Sequence, residues 1–413
     1  MTASIITQVS FFEFSKPFMP AVFSNSQEHL VKTDNLISKE SNRSFLQRSA
    51  SFISSLFKIV LIGVISFGAI ASAGATPIYV NYQQNWAVGN GQSWETAFNT
   101  IADGLAAAAT EAAAAPGTPI QIWVAKGDYK MPYNYYPLAD KVDIYGGFEG
   151  NESEITQRVF YNNLPAQPTT LRDSGFPWIS PYPGRELYYP NYVYYDHLFY
   201  LKNATNKFDG LRFVGSAGIA QEGGELTVVN SIFTRVFPTN YTMAGNGIFS
   251  FNNATLTVTK SQFLNGKANR GGAIAADHAA SVTINDSTFD GNNGGHGGAI
   301  WINGNLRENK PSLLKGVYGD PRLTKVAITN NVFANGSAGS AGGAISIKNP
   351  GPVLIQDNKF INNKSNYLSG GAIEIATDGS DDEIAVSLDK AEFINNVFTN
   401  NSAMYNGGAI SIY

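Results

Sequence analysis

Residues 342–347 read "GGAISI", and the opening "GGAI" recurs at Gly271, Gly297, Gly370 and Gly407. The steps from one copy to the next are 26, 45, 28 and 37 residues. The two longest steps carry visible inserts, at 303–322 and 377–383, so the base period is about 26 residues. A fixed period of this length is the signature of stacked structural repeats. Within one copy, the alternation of a β-strand puts Gly343, Ile345 and Ile347 on one face and Ala344 and Ser346 on the other. The same reading turns Ile300/Ile302, Ile373/Ile375 and Ile410/Ile412 inward. A degenerate copy, "GNGIFSF", turns Phe249/Phe251 inward. The opposite face then carries Ser250, Ala275, Trp301, Ser346, Glu374 and Ser411, and is expected to be wet.

A second element keeps the same period. An apolar pair two residues apart is followed five residues later by phenylalanine. The copies are Leu226/Val228/Phe233, Leu256/Val258/Phe263, Val282/Ile284/Phe289, Val326/Ile328/Phe333 and Val353/Ile355/Phe360, with a looser one at Val386/Leu388/Phe393. Asparagine follows the phenylalanine two or three positions on, at Asn265, Asn292, Asn335 and Asn363; Phe398 and Asn401 belong to the last copy. One such unit cannot bury its own apolar face, so units must stack. Stacked strands lie ~4.8 Å apart, which sets isoleucine over isoleucine and phenylalanine over phenylalanine. Asparagine and glycine suit the corners because both accept left-handed backbone angles. The fold expected is all-β: a right-handed parallel β-helix, a pectin-lyase-like solenoid.

"GGAI" recurring with "FDGN" (Phe289), "FINN" (Phe360, Phe393) and "FTNN" (Phe398) resembles the repeat of the chlamydial polymorphic outer-membrane proteins, over roughly residues 245–413. The resemblance implies the β-helical passenger of an autotransporter, exposed at the cell surface, associated with the outer membrane and linked to adhesion.

The N-terminal half reads differently. Residues 59–73, "IVLIGVISFGAIASA", form a short apolar run after Arg43, Arg48 and Lys58, ending in small residues. This describes a secretory signal within an extended leader, residues 1–75. The second segment, 76–225, begins with strand "IYVN" (78–81). The stretch "SWETAFNTIADGLAAAATEAAAA" then predicts a helix, with Trp94, Ala97, Phe98, Ile101 and Leu105 at helical spacing and Pro116-Gly117 as its stop. Such a helix would cap the open end of the coil, where bare strand edges and a hydrophobic cross-section invite aggregation. Residues 176–200 are dense in tyrosine and proline and read as a long aromatic loop. The third segment, 226–413, holds the repeats.

Composition limits the chemistry. The 413 residues carry a formal net charge of −4 and no cysteine. There is no thiolate metal site, disulfide or Cys nucleophile, and no basic run for nucleic acid. Gly295-His296-Gly297 matches a short signature of polygalacturonases, but the acidic pair Asp381-Asp382 follows it instead of preceding it. His296 therefore reads as a solvated corner residue of a repeat. Asp277-His278 lacks the tryptophan of the related pectate-lyase element. The insert "DGSDDE" (378–383) offers oxygen ligands for Ca²⁺ without EF-hand or nonapeptide spacing, and reads as a solvated loop. No cofactor is expected. The residues nominated for contact with a polysaccharide or a cell-surface ligand are Tyr188, Tyr189, Tyr192, Tyr194 and Tyr195, whose rings suit sugar faces, and Trp301. The main reading is a secreted or surface-exposed adhesin-like protein. The competing readings are a polysaccharide lyase or glycoside hydrolase on the same scaffold, and a stalk module with further rungs beyond Tyr413.

Overall fold

The computed structural model describes residues 76–83, 89–132, 136–173, 197–215, 218–234, 242–304, 324–377 and 390–413. Within these, the chain is a right-handed parallel β-helix. Its strands form four long parallel walls of ten, nine, six and nine strands. Among the described strands one antiparallel pair stands apart, Phe160–Tyr161 with Leu164–Pro165. Parallel strands joined by crossovers wind in the right-handed sense. Each regular rung visits the walls in one order, as in Ser281–Asn285, Thr288–Asp290, Asn293–His296 and Ile300–Asn303.

The interior is built of columns. On the ten-stranded wall Leu226, Leu256, Val282, Val326 and Val353 align in register, all buried. On the next wall Phe213, Phe233, Phe263, Phe289, Phe333, Phe360 and Phe398 stack with ring centroids 4.5–5.0 Å apart and planes within 9° of parallel. Strand spacing imposes that distance, so the rings are near face-to-face, with the interior packed around them. On the last wall Ile274, Ile300, Ile345, Ile373 and Ile410 form the third column.

The corners explain the polar part of the pattern. Between the first and second walls a residue with φ near +50° (Asn230, Lys260, Asp286, Asn330, Asp357, Asn395) turns the chain. The next residue points inward and links rungs: Ser231, Ser261, Ser287, Asn331 and Asn358 each donate a backbone N–H to the side-chain oxygen of the next one in the column, ending at Asn396. Between the second and third walls the same device recurs. Asn292, Asn363 and Asn401 return a side-chain N–H to the carbonyls of Phe263, Phe333 and Phe360. The asparagines that follow phenylalanine thus belong to two columns. Asn265 and Asn335 are left-handed turn residues, while Asn292 and Asn363 are buried bridges.

The third corner needs both glycines of "GGAI". The first has φ between +59° and +70° at Gly271, Gly297, Gly342, Gly370 and Gly407. The second lies against the rung above: a Cβ on Gly343 would stand 2.0 Å from the carbonyl oxygen of Gly371.

Several expectations need correction. The helix, α1, spans Ile101–Ala114 and not the whole stretch from Ser93. Thr100 caps it by accepting the Asp103 N–H, so Trp94 and Ala97 pack in a separate aromatic cluster before it begins. Ile101, Leu105 and Ala108 of α1 join the main core, and α1 packs on Ile78–Val80, the first strand of the ten-stranded wall. The last copy of the repeat is Ala391/Phe393/Phe398, because Ala391 pairs with Val353 and Phe393 with Ile355. The inward Val386/Leu388 reading falls on residues outside those described. Phe249 and Phe251 face outward. Ile248 and Ser250 take the inward places, aligned with Ile274 and Ala276, and buried Ser250 donates to Gln221 inside the coil. Ala344 also belongs to the core.

Candidate functional site

The last wall has an outer face that is not wet, against expectation. Ala275, Trp301, Ser346 and Glu374 lie in one outward column there, and all four are buried. Stacking explains part of this. Phe249, Phe251, Ala275, Trp301 and Ala244 make a second apolar cluster outside the coil. Further along, Ser346 donates to the Glu374 carboxylate at 2.7 Å, and Tyr413 donates its phenol to the other carboxylate oxygen. Glu374 is thereby buried with two hydroxyl donors.

Two residues along each strand lies a second outward column, Glu222, Phe251, Asp277, Asn303 and Lys348. Asp277 accepts from Asn303 at 2.8 Å and pairs with the His278 imidazole at 2.9 Å. Burial pushes the Asp277 carboxyl upward. The hydrogen bond and charge of His278, the Asn303 amide and the charge of Arg270 outweigh that and hold it below its ordinary range. Glu222 accepts the Tyr200 hydroxyl and lies near Lys202.

The third wall flanks this face with Arg270 and His296, which are register partners. The Arg270 guanidinium lies over the Trp301 ring, 4.8 Å from its centroid. His296 is half-buried, and its Nδ1 is buried with no hydrogen-bond partner. It is not the solvated corner residue expected. Burial lowers its pKa, as do the nearby charges of Lys348 and Arg270, against an opposing effect of Glu374. The column was legible as variable, with Arg270, Ala341, Ser369 and Asn406 at the equivalent places. What the sequence hid is that this corner faces Trp301, Lys348 and Glu374. Those residues lie up to two rungs away, and no local pattern connects them.

The nominated residues fare unequally. Trp301 is where the alternation put it, but its ring is buried beneath Arg270. Tyr188, Tyr189, Tyr192, Tyr194 and Tyr195 lie outside the described residues, as does "DGSDDE". The end of the aromatic stretch is a strand, Phe199–Lys202, in the last wall.

Carboxylate spacing bears on the enzymatic reading. Hydrolysis of a glycosidic bond uses two carboxyl groups about 5–9.5 Å apart. Glu222 and Asp277 stand two rungs apart with Phe251 between them, a backbone separation of ~10 Å. Asp277 and Glu374 are three rungs apart in adjacent columns, or ~14 Å along the coil. Among the described residues no group of three or more His, Asp or Glu side chains is arranged to hold a metal ion.

No family model matches the chain. Over 207 residues it is 32% identical to a protein described as "Probable autotransporter YfaL" of Escherichia coli (strain K12). The match covers 48% of this chain and 13% of that protein, so the chain spans about an eighth of the relative's length. Among solved structures, the pectin methylesterase from Aspergillus niger in deglycosylated form aligns over 80% of this chain and 87% of its own, at 13% identity and a TM-score of 0.39. The similarity to an autotransporter agrees with the expectation of a passenger-like β-helix. It does not reach to the chlamydial repeat family in particular.

Proposed function

We infer that the protein is a secreted, passenger-like β-helix that works by surface contact, as an adhesin does, and not by bond cleavage. The observation that carries this reading is the autotransporter similarity on a coil whose described strands stack in parallel along all four walls. Such a coil is a rigid support whose walls and inserts present side chains at fixed spacing.

Two measurements test the reading. The full chain is expressed in its native cells, and intact cells are treated with a protease that does not cross membranes. Loss of the protein's signal on intact cells, or its recovery from the medium, is expected. Protection until the cells are lysed contradicts secretion. The purified full chain is also expected to bind host-type cells saturably.

A further inference from the structure

Beside the outer face of the last wall lie polar side chains that make no hydrogen bond or ion pair among the described residues. The Arg270 guanidinium stacks on Trp301 and makes no hydrogen bond or ion pair among the described residues. Lys348 likewise has none, and His296 keeps a buried, unpartnered Nδ1. Arg270 pairs in register with His296, and Lys348 lies one rung beyond His296 on the adjoining wall, beside Asn303. The carboxylates around them are already engaged. Asp277 is held by His278 and Asn303, and Glu374 by Ser346 and Tyr413. A buried polar nitrogen without a partner is costly.

We propose that Arg270, His296 and Lys348 form a subsite for the anionic group of an acidic oligosaccharide, with the Arg270 guanidinium seated over the Trp301 ring. A guanidinium matches a carboxylate or a sulfate with two parallel hydrogen bonds, and the lysine adds a point charge. The neutral imidazole supplies one more hydrogen bond, from a ring that need not be charged. That the anion is carried by a sugar rests on the contact reading above. The anionic chemistry itself rests on the unused donors.

The test measures binding of the full chain to three probes by calorimetry. They are a hyaluronate oligosaccharide bearing carboxylates, a heparin-derived oligosaccharide bearing sulfates as well, and a neutral chito-oligosaccharide. The variants are Arg270→Gln, Lys348→Gln and the two combined. Lys325→Gln, on the outer side of the ten-stranded wall, matches the charge change of either single variant and serves as their control, and circular dichroism confirms folding of each. At least one anionic probe is expected to bind, the neutral one not. The double variant is expected to lose ten-fold or more in affinity, with Lys325→Gln unchanged. Preference between the two anionic probes then identifies carboxylate or sulfate. Equal binding of the neutral probe overturns the proposal. So does an undiminished double variant, or an equal loss in Lys325→Gln. If no probe binds while the protein still adheres to cells, the subsite is refuted and the contact function stands. If neither occurs, both fall.

Discussion

Asn331 is tied to Asn358, one rung further on, by two bonds to a single oxygen. Its backbone N–H and its side-chain Nδ2 both donate to Oδ1 of Asn358, at 2.9 and 3.0 Å. Asn358 in turn donates to the carbonyl of Ile328 at 2.8 Å and is fully buried. Replacing it leaves the Asn331 backbone N–H without its acceptor and the Ile328 carbonyl without this side-chain donor, both away from water. Asn358→Ala is expected to cost about 3 kcal/mol, read as a lowered denaturant midpoint. Asn358→Ser should recover part of this, because Ser261 and Ser287 fill the same column elsewhere. A serine variant as unstable as the alanine variant would show that the ladder does not matter at this rung.

The second glycine of each "GGAI" predicts a sharp contrast. Gly343→Ala forces a methyl to 2.0 Å from a backbone oxygen that the stacked rung cannot move. The expected cost is about 3 kcal/mol. At Gly339 the nearest atom to an added Cβ is 3.5 Å away, so Gly339→Ala should leave the unfolding midpoint within error of the parent.

Phe289 lies mid-column between Phe263 and Phe333 and is almost wholly buried. Phe289→Ala is expected to cost about 3–5 kcal/mol, and Phe289→Leu clearly less. Equal stability of the alanine variant and the parent in urea would contradict the stacked interior.

His296 predicts a pH dependence. Its folded pKa lies below the ordinary value of 6.5, so the unfolded chain takes up the proton first as pH falls. The stabilising contribution of the neutral ring is complete above about pH 6.5 and is lost as pH drops through the lowered folded value. The parent should lose more stability between pH 7.5 and pH 5 than His296→Gln does. Parallel curves for the two would show that the ring is not desolvated.

Much of this was legible in the sequence because stacking repeats a local rule. The isoleucine alternation, the phenylalanine spacing and the corner asparagines each report one wall or one corner, and each recurs often enough to be read. The failures lie where a local rule competes with register. Phe249 and Phe251 look like an inward pair, yet the glycine bend at Gly245 aligns Ile248 with Ile274 and turns both rings outward. "FINN" at Phe393 looks like the phenylalanine corner, but it serves the other corner, which uses the same left-handed residue and bridging asparagine. The cationic cluster was illegible for a different reason. Arg270, His296 and Lys348 come from three successive rungs and two walls, with the 303–322 insert between the second and third in sequence.

The measurement that bears most directly on contact against catalysis is incubation of the purified full chain with pectin, alginate and glycosaminoglycans, with and without Ca²⁺. Retention of the protein on at least one anionic polymer, with no new reducing or unsaturated ends, is the result predicted. Release of such ends, abolished by Asp277→Asn or His296→Ala in a folded variant, would make the outer face of the last wall an active site and contradict the account.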